Sequence, residues 1–277
     1  LVSGTRVQTG PSGSCDASIR SVADPTEVLF PFKARSYSKG TLRFRDATTT
    51  GGIHLVLEIG VDDYLRGFSE VPDTWPVAAI EAQVVASRSL TVRKVLDLGP
   101  ESEFDTARRS ECNCHLLDHS PDPNYRGRAG EIAHPVWVDA VGTTTGEVVS
   151  YQGSVALARF HSSSGGWTEN YADVFGGDDY PYLATVFDSP SLSDPAANPH
   201  NSWGAGFGQA SLAEAFGFSW VSDMRVTQRN DSGSARTVAV TGIRWGRPAT
   251  DLLSAVDVRL ALSLRSTTFD IVASSRF

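Results

Sequence analysis

The sequence predicts an α+β fold: mixed, mostly antiparallel sheets arranged with one central helix at about residues 76–97 and further peripheral helices. Three observations carry that expectation. A long stretch around Ile80, Val84 and Ser87 has helical spacing and clear end signals. Several short runs of alternating apolar and polar residues are joined by tight Gly-containing turns. Strands and helices do not alternate regularly, which argues against a doubly wound parallel sheet.

Residues 1–25 are rich in Gly, Ser, Thr and Pro and read as an N-terminal arm or poorly structured lead-in, with a single domain over 26–277. Strand signals begin near Val28, and His54 to Ile59 alternates so that Leu55, Leu57 and Ile59 share one face. The central helix has Asp73 and Thr74 as candidate caps, Pro76 in its first turn and Gly99-Pro100 as its stop. Ala78, Ala79, Ala82 and Ala86 are small enough to admit a close neighbour, and Ile80, Val84 and Ser87 mark its buried side. From 101 to 135 the chain is polar, charged and Pro-containing, and reads as a long excursion or smaller subdomain. A hairpin follows, Glu147–Tyr151 with Ser154–Phe160, then a Gly- and Ser-rich loop at 161–181. The last third shows a helix near Ser211–Phe216, a hairpin of Met224–Arg229 and Thr237–Trp245, a helix near Thr250–Leu262 and a strand at Thr268–Val272.

The formal charge of −8 argues against a nucleic-acid partner, which calls for a basic face to neutralise phosphates. No run of eighteen apolar residues is present, so no membrane span is expected. The sequence starts at Leu1 without Met, and the numbering is expected to begin inside a processed or trimmed chain. The three cysteines, Cys15, Cys112 and Cys114, are an odd number and not a disulfide framework. One bridge from Cys15 to Cys112 or Cys114 would tie the arm to the body in an exported protein. Alternatively, Cys112, Cys114, His115 and His119 offer four zinc-ligating side chains within eight residues, though without the paired C-x2-C spacing of common zinc sites. Both readings stand at this point; no other cofactor is expected.

Three stretches carry a family resemblance. The first comprises Asp63-Tyr-Leu-Arg-Gly67, Ser69-Glu-Val-Pro72, Trp75-Pro76 and Ala82-Gln-Val-Val-Ala-Ser-Arg88. The second is Phe160-His-Ser-Ser-Ser-Gly-Gly166 with Thr168-Glu-Asn170, Gly176-Gly177 and Pro181-Tyr-Leu183; the third is Leu262-Ser-Leu-Arg-Ser-Thr267 with Phe269. Together, over roughly 25–275, they resemble the SpoIID/LytB family. The resemblance implies an extracellular, periplasmic or wall-associated protein acting on peptidoglycan. One branch cuts glycan strands as a lytic transglycosylase; the other stimulates a cell-wall amidase. It assigns the catalytic acid to Glu70 and substrate contacts to Arg88, His161, Ser162 and Ser164, with Gln83 and Tyr182 in the same motifs. Two departures stand out: Glu81 replaces a family Lys, and Asp122-Pro-Asn-Tyr125 occupies the stretch where the family often has a zinc-binding Cys.

The chemistry suits one carboxyl group. A transglycosylase can donate a proton to the leaving oxygen and then remove one from the sugar's own 6-hydroxyl, closing an anhydro ring, where hydrolases use two carboxylates. Such an acid must stay protonated, which apolar neighbours such as Phe68, Val71 and Trp75 favour and a nearby helix N-terminus opposes. Trp75, Trp167, Tyr180 and Tyr182 are candidate sugar-stacking or core aromatics. His161, Ser162 and Asp173 do not form a convincing hydrolase set, since adjacent His and Ser rarely align and no G-x-S-x-G elbow occurs. The other reading is a non-catalytic wall-binding protein that recruits or stimulates an N-acetylmuramoyl-L-alanine amidase.

Overall fold

The computed structural model describes residues 5–9, 17–21, 27–31, 34–47, 52–119, 122–193, 198 and 200–272. The chain divides into two units, Leu1–Phe160 and His161–Phe277. Helices and antiparallel sheets occur together, as an α+β chain requires.

The first unit opens with β1 (Thr5–Thr9), β2 (Ala17–Ser21), β3 (Val28–Phe30), β4 (Arg35–Tyr37), β5 (Thr41–Ala47) and β6 (Gly52–Glu58). Four of these form an antiparallel sheet in the order β1-β2-β5-β6, while β3 pairs with β4. Two segments of the expected N-terminal arm are therefore strands. The β5–β6 register sets Leu42 opposite Leu57 and Phe44 opposite Leu55. Leu55, Leu57 and Ile59 pack against the core, as their alternation predicts. Val56, on the other face, is buried too.

Helices α1 (Val61–Arg66) and α2 (Val77–Leu98) follow. Helix α2 has its expected extent, and Ile80, Val84 and Ser87 are buried along one side. Its N-terminus differs from expectation. Pro76 holds the cap position with no side-chain cap, and the Asp73 carboxylate instead accepts the Val136 N–H from another helix at 3.0 Å. Asp73 lies three residues too early to cap α2, because a cap must stand immediately before the first turn. Ala78 and Ala82 are exposed, so the small-residue face receives no neighbour there. Gly99, at φ 67°, ends the helix in a conformation that glycine adopts without steric cost.

The 101–135 segment is not a bare excursion. It holds a 3-10 turn (Glu101–Glu103), α3 (Thr106–Glu111) and α4 (Arg128–Ala133), and runs into α5 (Pro135–Thr143). Phe104 and Tyr125 are buried at 5% exposure each, so this polar segment contributes core. Its anchors are single aromatics without periodicity, and a pattern search passes over them. The expected hairpin is present but short, β7 (Ser150–Tyr151) with β8 (Ser154–Val155), turning through Gln152 and Gly153 at positive φ.

The core of this unit gathers Leu42, Tyr64, Leu65, Phe68, Ile80, Val84, Tyr125, Trp137 and Val141. Trp137 is fully buried and donates its indole N–H to the Leu65 carbonyl at 2.8 Å. Two glycines set the closest approach. A methyl group on Gly130 would stand 2.1 Å from the Gly67 carbonyl oxygen, and one on Gly67 would stand 2.1 Å from the Tyr125 ring.

The second unit contains α6 (Tyr171–Phe175), α7 (Pro190–Ser193), α8 (Gln209–Phe216), β9 (Trp220–Arg229), β10 (Ala235–Arg244), β11 (Arg247–Ser254) and α9 (Ala255–Ala261). The three strands form an antiparallel meander in the order β11-β10-β9. Its core joins Phe216, Phe218, Val221, Val238, Val240 and Val258. Two expectations fail here. The helix expected from Thr250 starts only at Ala255, because Thr250–Ser254 is strand, turned back by Trp245-Gly246, both at positive φ. Ser254 then caps α9 by accepting the Asp257 N–H at 3.0 Å, the signal that marks the true start. Thr268–Val272 makes no strand; Phe269 and Ile271 pack on the core from irregular chain.

Candidate functional site

Glu70 projects from the short connection between α1 and α2. Phe68 before it is buried and tilts against Trp137 at 5.9 Å, while Val71 after it packs on the same core. Ser69 fastens the bend by donating to the Val71 carbonyl at 2.6 Å. With Phe68 and Val71 anchored inward, Glu70 is left facing out.

It faces an open cleft of about 730 Å³ built wholly from the first unit. Phe68, Val71, Leu90 and Phe160 supply apolar wall; Glu70, Asp122, Arg126, His134 and Arg159 supply charge and proton-transfer groups. The Glu70 side chain keeps surface exposed to solvent. Even so, partial burial raises its carboxyl above the ordinary carboxylate range, which favours the proton-bearing form.

Behind the cleft, Tyr64 stacks on Tyr125 at 5.4 Å and 14°. Burial, then the negative charges of Asp122 and Glu70, pushes the Tyr64 phenol far above its usual range, so it stays neutral. Its hydroxyl is buried and makes no hydrogen bond. Asp122 is already engaged: it receives Lys94 Nζ at 2.5 Å and the Leu117 N–H at 2.8 Å. The Arg126 backbone N–H donates to the Gly67 carbonyl at 2.7 Å, so the Gly67–Gly130 contact positions the cleft wall as well as the core.

Arg88 occupies a different place from the groove its motif implied. It is 2% exposed, and its guanidinium reaches Asp62 at 2.8 Å, Thr144 Oγ1 at 3.2 Å and the carbonyls of Glu147 and Val141 at 3.1 Å each. Every contact ties α2 to α1 or to the α5 end, and Arg88 does not line the cleft. Gln83 is half-buried, with its amide 3.4 Å from Ser87 Oγ, and also lies off the cleft lining.

His161, Ser162, Ser164 and Tyr182 belong to the second unit. His161 and Ser162 are exposed. Ser164 organises its own loop, donating to Asp188 Oδ2 at 2.7 Å and accepting the Gly166 N–H at 3.1 Å. Tyr182 packs against Tyr180, ring centroids 5.7 Å apart.

The cysteine expectation is corrected. Cys112 and Cys114 are bonded to each other, so neither pairs with Cys15, which lies outside the described residues. Asn113, at φ 51°, reverses the chain between them and leaves their Cα atoms 5.2 Å apart, inside the range a disulfide spans. The donor set does not fit zinc in this form. Both thiolates are consumed, His115 Nε2 lies 2.9 Å from the Gly99 carbonyl, and among the described residues no three metal-ligating side chains converge. Among the described residues, no helix is long and apolar enough to cross a membrane.

The cleft, its one raised carboxyl and the motif that holds it lie in a region that matches a known family. Residues 49–151 match the model described as SpoIID, stage II sporulation protein. Those residues are similar to the SpoIID family. The SpoIID segment contains Glu70, Gln83 and Arg88, together with most of the cleft. Stage II sporulation protein D of Bacillus subtilis is 27% identical over 143 residues, covering 47% of this chain and 39% of that protein. An uncharacterized protein of Brachyspira hyodysenteriae is 28% identical over 134 residues, covering 48% of this chain and 33% of that protein. The matches thus span well under half the length of these curated relatives. Sequence reasoning missed Arg126, His134 and Arg159 as cleft residues. Arg126 and His134 fall in the segment read as an excursion, and the close glycines at 67 and 130 were the signal that folds it back.

Proposed function

We propose that the protein cuts peptidoglycan glycan strands in the manner of a lytic transglycosylase, with Glu70 as acid and base. The observation that carries this reading is Glu70 itself, an acid in an open, sugar-sized cleft whose partial burial favours the protonated form. The Glu70 proton goes to the glycosidic oxygen as the C1–O4 bond breaks; the 6-hydroxyl oxygen then bonds to C1 and its proton passes to the Glu70 carboxylate, restoring the acid. The SpoIID segment supports a role at the cell wall in sporulation, and the substrate then lies outside the cytoplasmic membrane. No cofactor is required. The test is incubation with stem-free glycan strands and mass spectrometry of the products. Anhydro-sugar ends are expected from wild type and not from Glu70→Gln; equal yields from both would refute the reading.

One observation favours a second reading, an amidase-stimulating wall binder. Arg88, the motif's expected groove cation, is wholly engaged inside the fold. That reading expects wall binding and amidase stimulation to survive Glu70→Gln, and an unchanged amidase rate on adding the protein counts against it.

A further inference from the structure

We propose that His134, aligned by Asp73, is a second proton-transfer group of the cleft, taking the proton from the sugar 6-hydroxyl while Glu70 gives its own to the leaving oxygen. The inference rests on the glycan-cutting reading and divides between two groups what that reading asks of one.

The geometry is specific. His134 stands between α4 and α5, its N–H donating to the Gly130 carbonyl at 3.2 Å and its carbonyl accepting the Val138 N–H at 3.0 Å. Its backbone is thus held from both helices, and His134 lines the same cleft as Glu70. Its Nδ1 lies 3.5 Å from Asp73 Oδ1. Asp73 is itself fixed, because its other oxygen accepts the Val136 N–H at 3.0 Å. That leaves Oδ1 buried with no hydrogen-bond partner. A buried carboxylate oxygen without a donor is costly, and the nearby imidazole supplies one when Nδ1 carries the proton. Nε2 then bears the lone pair, the arrangement in which a carboxylate selects the tautomer of a histidine base. An Asp–His pair that served only to cap α5 would need no imidazole, since the Asp73–Val136 bond does that alone.

In the step, the C1–O4 bond breaks and O4 takes the Glu70 proton. O6 bonds to C1, and the O6 proton passes to His134 Nε2. Glu70 ends as carboxylate and His134 as imidazolium, and exchange with solvent restores both. Charged groups sharing the cleft are Glu70, Asp122, Arg126 and Arg159, with Asp73 behind the ring; Asp122 is neutralised by Lys94.

The test uses the full chain with stem-free glycan strands, following anhydro-end formation against pH. Wild type is expected to show two limbs. His134→Gln should lower kcat by about 100-fold or more with KM little changed and leave a single limb. Asp73→Asn retains an oxygen for Val136 and should lower kcat while shifting the His134 tautomer, read by nitrogen NMR, away from Nδ1–H. The inference is overturned if His134→Gln cuts at the wild-type rate with both limbs, or if wild-type His134 carries its proton on Nε2. The NMR arm uses wild type and so does not depend on how well a variant folds. Wild type forming no anhydro ends overturns the glycan-cutting reading and this inference together; an active wild type with an undiminished His134→Gln sinks this inference alone.

Discussion

Replacing Arg88 separates two roles for a residue to which the family resemblance assigns a substrate contact. If Arg88 is a structural tie, Arg88→Met must destabilise the first unit whether or not substrate is present. The change removes an ion pair to Asp62 and one donor each from the carbonyls of Glu147 and Val141, the latter keeping Thr145 Oγ1 at 3.2 Å. Asp62 is 29% exposed and can regain water, and Thr144 Oγ1 still donates to the Ala140 carbonyl. The lost hydrogen bonds contribute about 0.5–1.5 kcal/mol each, or somewhat more for a charged donor, since Val141 keeps a second donor and Glu147 is an exposed residue. The expected loss is about 2–4 kcal/mol, less than for stranding a fully buried charge because Asp62 regains water. For a unit of this size that lowers the melting temperature by on the order of 10 °C. Arg88→Lys should lose part of this, because an ammonium cannot reproduce the guanidinium fork. Urea unfolding followed by tryptophan fluorescence measures the loss, with an unchanged m-value showing that the native and unfolded states stay comparable. A loss below about 1 kcal/mol for Arg88→Met, with weaker glycan binding, would refute the structural assignment and return Arg88 to the substrate.

Other consequences follow from the same packing. Glu70→Gln should stabilise the protein at neutral pH but not in acid. The folded-state pKa is raised, so the folded chain holds that proton more tightly than the unfolded chain, and wild-type stability falls as pH rises from the ordinary carboxylate value through the raised one. Urea midpoints of both proteins across that window check the sign, and a gap independent of pH would contradict it. Gly130→Ala should cost about 1–3 kcal/mol or more, because its methyl meets the Gly67 carbonyl at 2.1 Å and backbone must move. Anhydro-end formation should fall with it, since the same contact sets the Arg126 wall. Trp137→Ala should lose about 3–5 kcal/mol in the same assay. Peptide mapping of unreduced protein should find a Cys112–Cys114 link and only Cys15 alkylated; a link from Cys15 to either would overturn the assigned pairing.

The amino-acid sequence alone determined the features that depend on near neighbours along the chain. The span of α2 follows from spacing and from Gly99, and the β9–β10 hairpin from its alternation and turn. The motif around Glu70 is likewise contiguous, so the residue most central to the proposed chemistry was legible without a fold. Local pattern misjudged what long-range contacts decide. Asp73 looks like a cap for α2 because it is near in sequence, yet it serves α5, sixty-three residues on. Thr250–Ser254, the second part of β11, reads as helix in sequence because its pairing partner, β10, lies across a turn and sets the register only in the folded chain.

The candidate site shows the same division. Its acid lies in a motif, but its cleft exists only because Gly67 and Gly130 let two distant backbones meet and bring Arg126 and His134 to Glu70's side of the core. Whether Glu70 keeps its proton, and whether Arg88 faces solvent or Asp62, depends on desolvation and on which donors and acceptors converge. These are properties of three-dimensional surroundings: a motif fixes which groups are present, and packing fixes the dielectric and the partners that decide what each group does.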